Sequence, residues 1–147
     1  TARDVLLDAV ARAPDDTGAI KTLSAACWRL GLEDEATRWQ EVVELVLGLR
    51  DNVFTREQDD AASAASQAEA LERSDWIRAE YEKHRERLER LVVIHPGWAE
   101  AFLRLAERQA EDGDAAAACA TIRAWAARHG ATAGDDAVRA MTGRYCR

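Results

Sequence analysis

The chain has 147 residues and a formal net charge of −7, with 48% of its residues apolar and 32% charged. That length suits one domain with its own core, while the acidic balance argues against nucleic-acid binding and against docking on anionic membranes, both of which need clustered positive charge. No run approaches the roughly 20 apolar residues of a membrane span, and the opening TARDVLLDAV lacks the apolar core of a signal peptide.

Ala, Leu, Arg and Glu dominate, and strand-favouring residues are sparse, so the chain reads as all-α. Thr1 fits either a start from which methionine has been removed or the edge of a longer chain. ARDVLLDAVARA (2–13) sets Val5, Leu6, Ala9, Val10 and Ala13 on one stripe, and Pro14 stops it. Asp15, Asp16 and Thr17 offer capping oxygens to a helix running to Leu30, with Ile20, Leu23, Cys27 and Leu30 inward and Gly31 as its C-cap. Glu33, Asp34 and Glu35 suit the positive end of a third helix, which carries Ala36, Trp39, Val42, Val43, Val46 and Leu47 inward as far as Gly48.

Asp51 and Asn52 mark a loop, and Thr55 with Gln58 has capping-box spacing before a weakly apolar helix over 56–72. A break near Arg73 and Ser74 is expected before the next helix, 75–93, because roughly 35 uninterrupted helical residues would be unusual in a compact domain. After Pro96, a helix over 97–112 turns Phe102, Leu105 and Ala106 inward, Gly113 reverses the chain, and a second helix runs from 114 to 129. Gly130 closes it, and 134–145 forms a short terminal helix over the last apolar face. The cysteines Cys27, Cys119 and Cys146 are odd in number and widely spaced, without C-x-x-C, so reduced thiols and a cytoplasmic address are expected.

Displacing the sequence by 82 residues lays Pro14 on Pro96, Ile20 on Phe102, Leu23 on Leu105, Gly31 on Gly113, Ala36 on Ala118 and Gly48 on Gly130. Leu6 and Val10 fall on Leu88 and Val92. Each match lands on a helix stop, a turn or an inward apolar position, and the offset equals two units of 34 plus an insertion of 14. On these residues the chain resembles the tetratricopeptide repeat family, whose unit of about 34 residues is a pair of antiparallel helices. Pro14, Ile20, Leu23, Ser24, Gly31, Ala36 and Val43 stand at the family's spacings in one unit. Pro96, Phe102, Leu105, Ala106, Gly113, Ala118 and Ile122 do so in another. A middle unit, counted back from Pro96, keeps Leu71, Leu88 and Leu91 but puts Glu72 and His84 where small residues belong, and its turn over 73–79 has no glycine. Gln109 and Trp125 also depart from the family pattern.

The resemblance implies antiparallel helical hairpins stacked as a short right-handed solenoid in a single domain. Its parts would be a half repeat over 1–14, units over 17–50, 56–96 and 97–130, and a capping helix over 134–145. In this family the first helices of successive hairpins line a concave groove for peptides or partner proteins, which assigns to it Lys21, Ala25, Trp28, Glu69, Arg73, Trp76, Leu103 and Glu107. Tryptophan and arginine dominate binding hot spots, although Trp28 also suits packing on the inserted segment or a neighbouring helix. The family's carboxylate-gripping groove needs asparagine and lysine where this chain has Ala25 and Glu100, so capture of chaperone tails is not expected.

His84, His95 and His129 have no ligand-type partner at helical spacing, and Glu82 and Glu86, interleaved with Lys83, Arg85 and Arg87, read as a solvated helix face. With no phosphate loop or nucleophile motif in view, no metal, cofactor or enzymatic activity is expected. The expected function is a non-enzymatic interaction module holding a protein or peptide partner. The alternative is an accessory segment of a larger bacterial enzyme such as a transferase, and self-association through the ends of the stack is a further possibility.

Overall fold

Thr1 accepts a hydrogen bond from the Asp4 amide and so starts α1 (Ala2–Arg12), which Pro14 ends. The Asp16 carboxylate then accepts from the Ala19 amide and caps α2 (Thr17–Arg29). α3 (Glu33–Arg50) opens on three acidic residues, which complement the positive end of the helix dipole. α4 (Gln67–Ile94), α5 (Ala99–Glu111), α6 (Ala115–His129) and α7 (Asp136–Tyr145) follow. This computed structural model describes residues 1–50, 67–129 and 136–146, apart from the side chains of 67–73, His129, Ala137 and Val138. Among the described residues the chain is all-α, and no helix is long and apolar enough to cross a membrane.

Two hairpins close by the same bonds. At the end of α2 the Leu32 amide donates to the Cys27 carbonyl at 2.9 Å, and the Gly31 amide to Trp28 at 3.1 Å. At the end of α5 the Asp114 amide donates to the Gln109 carbonyl at 2.8 Å, and the Gly113 amide to Ala110 at 3.0 Å. Every donor and acceptor of the second set lies 82 residues beyond its counterpart in the first. Both turns need a left-handed residue, and Gly31 (φ +75°) and Gly113 (φ +84°) supply it without a Cβ penalty. The reversal brings small side chains together where the paired helices cross. Ala36, Ala106 and Ala118 are fully buried, and the Ser24 hydroxyl donates to the Ala36 carbonyl at 2.8 Å. Side chains of this size let two helix backbones approach closely.

Each helix packs on its chain neighbours: α1 on α2, α2 on α3, α3 on α4, α4 on α5, α5 on α6 and α6 on α7, with α7 also reaching α5. α5 divides the core. Its Ala101 and Leu105 join Ile20, Leu23, Val42, Val46, Leu88 and Leu91 in one apolar cluster. Its Phe102 and Ala106 join Ala118, Ile122, Trp125 and Met141 in another. Polar contacts lock the first cluster's rim. His95 Nε2 lies 2.7 Å from the Pro14 carbonyl, with the Trp39 ring edge-on to the imidazole at 5.4 Å. Arg90 of α4 grips Glu41 of α3 through two bonds of 2.7 and 3.1 Å. Arg3 and Arg85, again 82 apart, each bridge from a flanking helix to the hairpin beside it, Arg3 to Glu35 and Arg85 to Asp112.

Four expectations are corrected. The break near Arg73 and Ser74, and with it the hairpin turn over 73–79, is absent, because α4 runs without interruption for 28 residues. No glycine or proline interrupts the segment, and ion pairs one turn apart, Lys83–Glu80 and Arg85–Glu89, support it. Gly48 does not stop α3. It sits inside the helix, where an added Cβ would meet the Arg87 guanidinium of α4 at 2.8 Å. Val5, Leu30 and Leu47 are exposed rather than inward, and Leu49 takes the buried place at the end of α3. Finally, Cys119 and Cys146 form a disulfide, which removes the reduced-thiol premise for a cytoplasmic address; Cys27 alone stays a free, buried thiol. The expected loop at Asp51 and Asn52, the Thr55–Gln58 capping box and the Gly130 stop lie outside the described residues.

The disulfide ties α7 to α6 across a sequence separation of 27 residues. Closing a loop of that size restricts the unfolded chain by roughly 3.5 kcal/mol in the chain-entropy model. Urea unfolding with and without dithiothreitol is expected to show a loss of that order on reduction, with Cys146→Ser matching the reduced protein.

Candidate functional site

Helical spacing on two adjacent helices builds the candidate site. Lys21, Ser24, Ala25 and Trp28 stand at positions i, i+3, i+4 and i+7 along one face of α2. Gln40, Val43, Glu44 and Leu47 do the same along α3, and the two rows face a common groove of about 450 Å³. Its floor is made by Val43 and Ser24, both buried, and its rims carry apolar surface open to solvent: Trp28 is 48% exposed and Leu47 44%. Lys21 stands on the α2 wall and Glu44 on the α3 wall. An indole and an isobutyl group left in water beside an apolar floor form the kind of surface that gains free energy when covered.

Of the residues expected in a groove, Lys21, Ala25 and Trp28 are brought together here. The others are not. Glu107 lines a separate depression of about 260 Å³ with Leu49, His84, Arg104, Arg108 and Glu111. Leu103 packs, half-buried, against the second apolar cluster. Trp76 stands exposed on α4, away from either depression, and the side chains of Glu69 and Arg73 lie outside the described residues. One continuous α4 provides no turn at 73–79. The whole α3 wall was missed. The resemblance assigned partner contacts to first helices, and the apolar run Val42, Val43, Val46, Leu47 read as a single inward stripe although Leu47 falls on its flank.

Elsewhere the charged surface is engaged with itself. A depression of about 500 Å³ beside α4 is framed by Arg85, Glu89 and Asp112, and Arg85 bonds to both carboxylates at 2.8 and 2.9 Å. Burial works against ionisation of Asp112, but bonds from Arg85 and Arg108 hold its carboxyl below the usual range. Among the described residues no group of three or more His, Cys, Asp or Glu side chains is placed to hold a metal ion. Burial lowers the pKa of His95, only partly offset by its bond to the Pro14 carbonyl. His84 is lowered by burial and then by the nearby charges of Arg87, Arg104 and Arg108. Compared with known proteins, the chain matches no family model, and no curated protein or solved structure shows significant similarity to it.

The two depressed histidines set a pH dependence. Both have an ordinary pKa of 6.5 and a lower one in the fold. Below that ordinary value the unfolded chain binds protons that the folded chain refuses, so stability is full above pH 6.5 and falls as the pH drops through it toward the folded pKa values. The carboxylates of Asp4, Glu41 and Asp112 titrate lower and do not share this window. Urea unfolding across the window is expected to show a steeper loss for the wild type than for the double variant His84→Gln/His95→Gln. Equal slopes would contradict the assignment.

Proposed function

We propose that this chain is a non-enzymatic interaction module that holds a peptide or a segment of a partner protein in the groove between α2 and α3. In this reading the helices form a short right-handed stack of tetratricopeptide-like hairpins. The recurrence of the same glycine turn and small-residue crossing 82 residues apart supports it. α4 runs through the position where the turn of the middle unit, 56–96, was expected.

The observation that carries the functional reading is the exposed Trp28 indole over the buried Val43 floor, flanked by Leu47. Apolar surface supplies the attraction, with an aromatic side chain of the kind that anchors binding hot spots. Lys21 and Glu44, one on each wall, select orientation by charge.

A photoreactive benzoylphenylalanine placed at Ala25, exposed on the α2 wall, tests the reading in native extract. Discrete adducts are expected that weaken at least tenfold with Trp28→Ala, whose melting temperature should stay within a degree or two because the ring is half-exposed. The same adducts at the same yield with Trp28→Ala would refute it.

A further inference from the structure

α7 lies on the second hairpin with little of its own to hold it there. Its ten residues, DAVRAMTGRY, include Thr142 and Gly143, both weak helix formers. A helix of that length is marginal alone in water, so α7 owes its helicity to docking. Among its described side chains only Met141 is buried, with Tyr145 half-buried beside it, while Arg139, Ala140 and Arg144 are exposed. These two meet a larger apolar set, Phe102 of α5 with Ile122 and Trp125 of α6. The covalent tie sits just past the end of α7, where Cys146 is bonded to Cys119 in the first half of α6. The two sulfurs differ in access, since Cys119 is buried at 9% exposure and Cys146 is half-buried.

From this arrangement we propose that the Cys119–Cys146 bond is a redox-controlled latch on α7. A dithiol reductant opens it in the folded protein, and α7 then leaves α5 and α6. One thiolate of the reductant attacks Sγ of Cys146, the more accessible sulfur, and the Cys119 thiolate departs. The reductant's second thiolate attacks its own sulfur in the mixed disulfide and releases Cys146. Two electrons pass to the cysteines, which take up the two protons the dithiol gives up, and the reductant ends as a cyclic disulfide. The described burial of α7 is then left to hold ten residues in order against their backbone entropy. The hairpin beneath does not depend on α7. Its turn is closed by the Gly113 and Asp114 amides, and α5 stays anchored in the first cluster through Ala101 and Leu105. Reduction therefore bares Phe102, Ile122 and Trp125 on a folded body, an apolar surface that the oxidised protein keeps dry. Cys27 takes no part. It is fully buried in the first cluster, and that burial raises its pKa, away from the thiolate that exchange requires. None of this draws on the reading of the α2–α3 groove.

The test treats the full, oxidised chain with dithiothreitol in native buffer, then with N-ethylmaleimide, and reads each cysteine by mass spectrometry of the digest. Cys119 and Cys146 are expected to react within tenfold of each other, and Cys27 at least a hundredfold more slowly. Hydrogen exchange on the reduced chain is expected to find α7 amides within tenfold of the unprotected rate. Amides of α2 and α3 should keep at least a hundredfold protection, and Cys146→Ser should reproduce the pattern without reductant. A bond that resists dithiothreitol until urea unfolds the chain would overturn the proposal. So would α7 amides that stay as protected as those of α6, which would make the bond a staple on a helix that docks by itself. Cys27 reacting as fast as the other two would also overturn it, since the whole chain would then unfold on reduction.

Discussion

A chain reversal through one left-handed residue is the constraint on which this architecture turns. At Gly31 and Gly113 the backbone takes a positive φ, and the bond from the following residue back to the last turn of the helix closes the loop in two steps. So short a connection leaves the paired helices no freedom to separate. They must cross close to the turn, and the crossing admits only small side chains, here Ser24 with Ala36 and Ala106 with Ala118. Ser24 adds a hydroxyl bond to the Ala36 carbonyl, which satisfies a polar group that burial would otherwise penalise.

Two hairpins of this kind each leave one apolar face to be covered, and the helices between and beyond them do the covering. α1 and α4 pack on one side of their respective hairpins, with Leu88 and Leu91 of α4 fully buried. α5 contributes to both apolar clusters, so the two hairpins share a core through it. The rim is fixed by His95 against the Pro14 carbonyl, a contact that ties the turn before α2 to the end of α4. The second hairpin is finished by α7 and its disulfide, whereas the first keeps an open groove along α2 and α3. That asymmetry between the two hairpins is what the proposed binding role of the groove rests on.

Much of this was legible in the residues, and the misses have physical causes. The helix ends at Pro14, Gly31 and Gly113 were readable because proline and left-handed glycine act locally. Trp39 read as inward from its place on the apolar stripe of the third helix, and it is nearly fully buried. The long α4 was not legible, since Ser74 looks like a cap and a break there fits the usual length of a helix in a compact domain. Gly48 looked like a stop, yet its role is to let the Arg87 side chain approach α3. The Cys119–Cys146 bond depends on α7 folding back on α6, which widely spaced cysteines do not reveal. Three of the eight residues lining the candidate groove, Lys21, Ala25 and Trp28, were assigned to a groove from the sequence. The α3 wall was not, because the side of an apolar stripe on which a residue such as Leu47 falls is decided by the neighbouring helix.

The account depends most on Gly31 and Gly113 performing one and the same turn. Adding a Cβ at either meets no atom within 4 Å, so any effect of alanine there reports backbone conformation and not crowding. Gly143 has equally open surroundings but lies inside α7 without a positive φ, which makes it the internal control. Urea unfolding of the three alanine variants should show a loss of about 1 kcal/mol or more for Gly31→Ala and for Gly113→Ala, and a gain of roughly 0.5 kcal/mol for Gly143→Ala. If either turn variant gains stability as the control does, the two hairpins are not closed by the same left-handed reversal.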